Sequence, residues 1–307
     1  MANYGATTLA PPASATKERD HFKIFLKILY ALSLAIYIYF LIDGLNYYRT
    51  TYQERPHHES YRELRPAGFR GHGFGILGST MMLFMLFYSV RKRTRLFGDW
   101  GALSRWLDIH IYFGIMGPLF IILHTSFKVQ GLVAVSFWSM VAVASSGILG
   151  RYLYLQIPRN RRGDELSLRQ ITELEENFSR DLQETLNLNE EKLHRLDEIL
   201  KNRGGREPKA LKLFLEMALS DLLRPFQVYR LKRLLAGELQ LQEPYLHRAV
   251  QLAWRKIKLQ RRTLALNQVQ RLFHYWHVFH KPFAIIMYII MLVHVGVAVW
   301  LGYAWVF

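Results

Sequence analysis

Apolar residues dominate five stretches of the chain, and each stretch is long. Residues 22–42 are uncharged except for Lys23 and Lys27, whose flexible stems let the ammonium groups reach a polar surface from within an apolar layer. Residues 73–90 hold no charge, and residues 109–127, 132–150 and 282–307 contain no Asp, Glu, Lys or Arg. A helix needs about 20 predominantly apolar residues to cross a hydrocarbon layer about 30 Å thick. The pattern therefore predicts five membrane spans.

Between spans four and five the pattern changes. Over residues 163–272 apolar positions return every three or four residues, as in Leu168, Ile171, Leu174, Phe178 and Leu182, which is the period of an amphipathic helix. Ser167, three residues before Gln170, has the form of a capping box. Asn202-Arg203-Gly204-Gly205 has that of a helix stop, and Pro225 and Pro244 mark further boundaries. No Gly or Pro interrupts residues 245–279, so a last helix can begin near Pro244 and run on into span five. The predicted fold is all-α: an integral-membrane helical bundle of five spans with an α-helical insertion between spans four and five. Its divisions are a disordered tail over 1–20, spans one to four within 21–157, the insertion over 158–272 and span five within 273–307. The insertion holds no phosphate loop, dinucleotide fingerprint or acid–base pair. It is expected to dock another subunit, or to lie on anionic headgroups through Arg255, Lys256, Lys258, Arg261 and Arg262.

Ionisable residues inside a span are rare and functional by default, and here they repeat. His110 and His124 in span three are fourteen residues apart, as are His280 and His294 in span five. Fourteen residues of helix return to within about 40° of the starting direction and rise about 21 Å. Each helix thus presents two imidazoles on one face at two depths. Spans three and five are separated by one span and run parallel, so His110 is expected to face His280 and His124 to face His294. Two imidazoles across a gap between helices are the axial ligands of a b-type haem. The expected cofactors are two bis-histidine haems b, with four metal ligands: His110, His124, His280 and His294. His277 and His274 lie off the ligand face and are placed near the cytoplasmic haem edge, as propionate partners or part of a quinone pocket, or simply at the interface. His72, in Gly71-His72-Gly73-Phe74-Gly75, is placed at the interface.

Neighbouring residues suit a macrocycle. Gly114 and Gly117 follow His110 by four and seven positions and leave space on its face, as Gly147 and Gly150 do on span four; all four also suit plain helix packing. Arg105 and Lys128 are placed as propionate partners of the two haems, or as surface anchors. Pro282, two residues after His280, is expected to kink or start the membrane helix and so set that ring independently of the helix before it.

The chain has no cysteine, which removes iron–sulfur ligation, disulfides and covalent c-type haem attachment. Its net charge of +16 gathers at span ends, so it is read as membrane-surface and partner electrostatics, with no nucleic acid implied. Residues 1–16 are rich in Ala, Thr, Ser and Pro, and the run that follows is too long for a cleavable signal sequence. Arg91, Lys92, Arg93, Arg95 and Arg105 place the link between spans two and three in the cytoplasm, as Arg151, Arg159, Arg161 and Arg162 do for the exit of span four. Arg49, Arg55, Arg62, Arg65 and Arg70 oppose this assignment, mixed with Asp43, Glu54, Glu59 and Glu63. The expected orientation in a bacterial inner membrane has the N-terminus and the insertion inside and the C-terminus outside.

With its paired histidines placed, the chain resembles the ferric reductase-like transmembrane family, which includes NADPH oxidases and membrane ferric reductases. Residues 150–159, Gly-Arg-Tyr-Leu-Tyr-Leu-Gln-Ile-Pro-Arg, and 274–282, His-Tyr-Trp-His-Val-Phe-His-Lys-Pro, also look like bacterial members. The resemblance covers about residues 73–307 with the insertion set aside. Family reductases continue past the last span into a flavin- and nucleotide-binding unit. This sequence stops at Phe307, so the expectation is a chain that cannot collect hydride by itself. The reading is then a dihaem membrane subunit of an oxidoreductase that passes electrons between a quinone or partner redox subunits. A stand-alone ferric or other acceptor reductase is the alternative, and a haem-free transporter or membrane anchor is the alternative of another class.

Overall fold

The computed structural model describes residues 13–94, 100–159, 165–186, 210–239 and 245–302. Among them the regular structure is helical, apart from one isolated bridge between Arg159 and Glu165. The helices are α1 (Ala13–Asp43), α2 (Leu45–Arg49), α3 (Tyr61–Leu64), α4 (Phe69–Arg93), α5 (Leu103–His124), α6 (Gly131–Gln156), α7 (Leu168–Leu186), α8 (Ala210–Leu222), α9 (Arg224–Leu239) and α10 (Tyr245–Trp300). The first two are joined at Gly44, and a single 3-10 turn lies at Arg55–His57. Five segments are long and apolar enough to cross a bilayer, and each overlaps one of the five predicted spans. Many large apolar side chains on them point outward, Ile28, Leu132 and Ile285 among them. Such a surface is a liability in water and the stable arrangement in lipid. The chain is an integral membrane protein.

The chain divides into two compact units. The first comprises residues up to Gly147 and from Phe283 onward; the second comprises Ile148–Pro282. In the first, α5 packs closely along α4 and more lightly on α1. Tyr112, Met116, Phe120 and Leu123 of α5 are buried there with Phe74 of α4, and Ser33 of α1 is hydrogen-bonded to the Tyr112 hydroxyl. A second cluster joins Met82, Met140, Met287 and Met291. Unbranched thioethers fill such irregular gaps between helices well.

The second unit is built on α10. Leu231 and Leu235 of α9 pack among Leu246, Val250, Trp254 and Ile257, while Met217 of α8 packs with Leu153, Ile157, Ala265 and Val269. The capping box forms: the Ser167 amide donates to Gln170 Oε1 at 2.9 Å, and the Gln170 amide to Ser167 Oγ at 3.3 Å. Pro225 falls in the first turn of α9, where its missing N–H is tolerated. The stop at 202–205 and Pro244 lie outside the described residues.

Three expectations are corrected. Residues 13–20, assigned to the tail, are already helical. Pro282 neither starts nor interrupts α10, a single helix of 56 residues; the turns on either side keep their own hydrogen bonds, so one missing N–H does not end it. Of the basic residues offered as a docking face, Lys256 is buried, Lys258 approaches Asp221 at 4.0 Å, Arg261 bonds Ser220 and Arg262 donates to Gln156 at 3.2 Å. Only Arg255 is exposed. Lys258, Arg261 and Arg262 turn toward Asp221 and Ser220 of α8 and Gln156 of α6.

Candidate functional site

His124 is the last residue of α5. Its Nδ1 lies 2.8 Å from the carbonyl oxygen of Gly71. A carbonyl can only accept, so this bond places the proton on Nδ1 and leaves the Nε2 lone pair for a ligand. Gly75, one turn further along α4, lies against the same ring: a Cβ there would stand 2.7 Å from Nδ1. The chain then turns sharply, with Ser126 and Phe127 at φ of 49° and 60°. Non-glycine residues pay on the order of 1–2 kcal/mol each for this left-handed conformation, so the turn has to be held. Ser126 Oγ donates to the Leu64 carbonyl, and Arg55 Nη1 donates to the Ser126 carbonyl at 2.6 Å. The buried Arg55 guanidinium also donates to the carbonyls of Thr50 and Tyr48.

His110 repeats the arrangement at the other end of the helix. Its Nδ1 lies 3.1 Å from the Met85 carbonyl, and Tyr88 stands 5.1 Å from its ring. Gly71 and Met85, the two acceptors, are themselves fourteen residues apart on α4. One helix therefore orients both imidazoles by its backbone. Gly114 and Gly117 face this same helix: a Cβ on either would stand 3.2 Å from Met85 Cε or 3.1 Å from Met82 Cγ. They set the close approach of α4 and α5.

His294 belongs to the first unit and is exposed along its span. Around it, α10 is fixed by Tyr288, whose hydroxyl donates to the Met82 carbonyl at 2.6 Å, and by Ser136, whose hydroxyl donates to the Met287 carbonyl at 3.1 Å. Extensive close packing of α5 is confined to α4 and α1, so within this unit its backbone is not pressed against the fifth span.

His280 belongs to the second unit, with its ring 4.7 Å from that of Trp276. Trp276 stacks on Phe273 and occupies the space left by Gly150, where a Cβ would meet the indole at 2.3 Å. His277 is held by the Phe273 carbonyl at 2.8 Å and packs against Phe273 and Trp276. His274, with Asn267, Gln270, Arg271 and Tyr275, lines a shallow open hollow of about 520 Å³ that does not include His277. Arg105 lies over the Phe22 ring and Lys128 over that of Tyr52, each at the end of α5 nearer its own histidine.

Two imidazoles of α5 keep Nε2 available in apolar surroundings, their orientation fixed through Nδ1 by a carbonyl, as metal-bound histidines require. Sequence reading missed Gly75, the acceptor role of α4, and Arg55. The small residues at 71, 75 and 78 form a close-packing spacing that could have pointed to the first two. No family model, curated protein or solved structure matches the chain.

Proposed function

We propose that this chain is a dihaem b-type cytochrome, the membrane subunit of an oxidoreductase that passes electrons across a bilayer. The observation that carries the proposal is the pair of backbone hydrogen bonds from α4, fourteen residues apart, which hold His110 and His124 in the same tautomer with Nε2 presented. The outer ligand pair, His124 with His294, lies within one unit. The inner pair, His110 with His280, rests on the repeated sequence spacing. A haem in either place supplies a one-electron carrier. The chain's own residues orient the imidazoles of His110 and His124 and set their separation along α5 at about 21 Å.

The proposed membrane is a bacterial inner membrane, with the N-terminus and the helical insertion over 158–272 in the cytoplasm and the C-terminus outside. The arginines that opposed this orientation are partly neutralised or engaged. Arg70 pairs with Asp43 at 2.7 Å and approaches Glu63 at 3.5 Å, while Arg55 is buried against carbonyls. A quinone or a partner redox subunit is the proposed electron donor or acceptor on each side, which agrees with the resemblance to the ferric reductase-like family.

Replacing one ligand at a time tests the assignment. His124→Ala and His294→Ala should each leave a protein with one low-spin b-haem where the parent has two, as read by absorption and haem stoichiometry. Retention of both haems in either variant would refute the pairing.

A further inference from the structure

The second unit closes a small cavity between the end of α6, α8 and α10, with Gln156, Asp221, Trp254, Lys258 and Arg262 in its wall. Its enclosed space is about 10 Å³, room for one atom or molecule the size of a water. The acceptors around it are largely used. Asp221 Oδ2 receives the Gln156 amide at 2.9 Å and the Tyr152 hydroxyl at 3.2 Å, and Gln156 Oε1 receives Arg262 Nε at 3.2 Å. The donors are not. Trp254 is only 7% exposed, and its buried indole N–H meets no acceptor. The Lys258 ammonium stands 4.0 Å from Asp221 Oδ1, beyond hydrogen-bond reach.

A buried indole N–H normally has a partner, and one that meets none in the protein marks the place of a water or an ion. Charge decides between the two. Among the described residues in the wall, Lys258, Arg261 and Arg262 are cationic and Asp221 alone is anionic, while Arg261 is engaged with the Ser220 hydroxyl. Setting Arg261 aside, two positive charges face one negative charge. A water could accept from Trp254 and Lys258 and donate to Asp221 Oδ1, but it would leave that excess standing. An anion accepts from each of these donors and brings Lys258, Arg262 and Asp221 to neutrality. Polyatomic oxyanions exceed the enclosed space, whereas a monatomic anion fits it.

We propose that this cavity binds one halide ion, held by the Trp254 indole N–H, the Lys258 ammonium and the Arg262 guanidinium. The ion ties α10 to the end of α6 and to α8, so the second unit is stabilised by halide. The site is separate from the proposed haem ligands and does not depend on them.

Thermal unfolding of the full chain in non-ionic detergent tests this, with sodium gluconate exchanged for sodium chloride at constant ionic strength. The unfolding midpoint should rise with chloride and saturate, and the chloride NMR line should broaden in the presence of the protein. Trp254→Phe keeps an aromatic ring and removes the N–H; Lys258→Met keeps the chain length and removes the charge. Each should weaken the apparent chloride affinity at least about tenfold. Arg255→Met, exposed on the same helix, should leave it unchanged. The Lys258 side chain is 36% exposed, so its variant folds even if the core substitution at Trp254 does not, which circular dichroism checks. Equal midpoints in the two salts would overturn the proposal and assign the cavity to water. A chloride effect that survives the Lys258 substitution, or that sulfate reproduces, would also overturn it, because the ion would then act elsewhere or by general exclusion from the surface. Haem content enters none of these readings, so failure here and failure of the cytochrome reading are separable.

Discussion

Gly75 bears on the outer ligand more directly than its small size suggests. A methyl group at this position would stand 2.7 Å from His124 Nδ1 and 2.9 Å from Cε1, so the ring would have to move and its bond to the Gly71 carbonyl would stretch. Overpacking of this kind costs about 1–3 kcal/mol. Gly75→Ala should shift or abolish the outer low-spin haem spectrum, whereas Gly296→Ala, where nothing lies within 4 Å, should leave the spectrum unchanged. Arg55 acts from further away. Arg55→Met keeps much of the bulk but strips the carbonyls of Thr50, Tyr48 and Ser126 of their donor, at a cost of about 1–3 kcal/mol for each that stays buried and unpaired. It should lower thermal stability and perturb the haem at His124, while the spectrum of the other haem stays as it was. The four histidines proposed as ligands stand out in the sequence because ionisable residues inside a span are costly and rare. Gly75 and Arg55 were not, because their roles depend on which carbonyl or ring lies opposite, and a residue's own neighbours in sequence do not say.

At the scale of elements, the apolar runs marked all five spans because each must satisfy its backbone within a single helix. The ends were less legible. Apolarity sets where lipid begins, whereas helical hydrogen bonding continues beyond it, as it does in α1 back to Ala13; the start of α10 at Tyr245 was legible, since no Gly or Pro interrupts 245–279. Pro282 shows the same difference, since a breaker by local chemistry is carried by turns on both sides. The role of α4 emerged only from packing, where it orients both histidines of α5 and accepts the Tyr288 hydroxyl of α10. Tyr288→Phe removes that last bond. Interhelical hydrogen bonds in membranes are worth about 0.6 kcal/mol and rarely more than about 1.7. The variant should therefore unfold only slightly earlier in a denaturing-detergent titration and keep its haems. A collapse of the fold would mean that α10 depends on Tyr288 for more than this one contact.

For the whole molecule, the arrangement separates two tasks. The first unit holds α5 and the membrane part of α10 around an apolar, methionine-rich interior; the second builds a helical body on the long extension of α10. The all-α architecture and the five spans could be read from periodicity alone, but the inward turn of Lys258, Arg261 and Arg262 could not, since it follows from the positions of Asp221, Ser220 and Gln156 in space. Everything proposed about electron transfer depends on one property of the purified chain, its haem content. A pyridine haemochrome assay with the reduced absorption spectrum measures it directly. The account predicts two b-type haems per chain, both low-spin and six-coordinate; a spectrum without low-spin b-haem bands, or a stoichiometry of one or none, would contradict it.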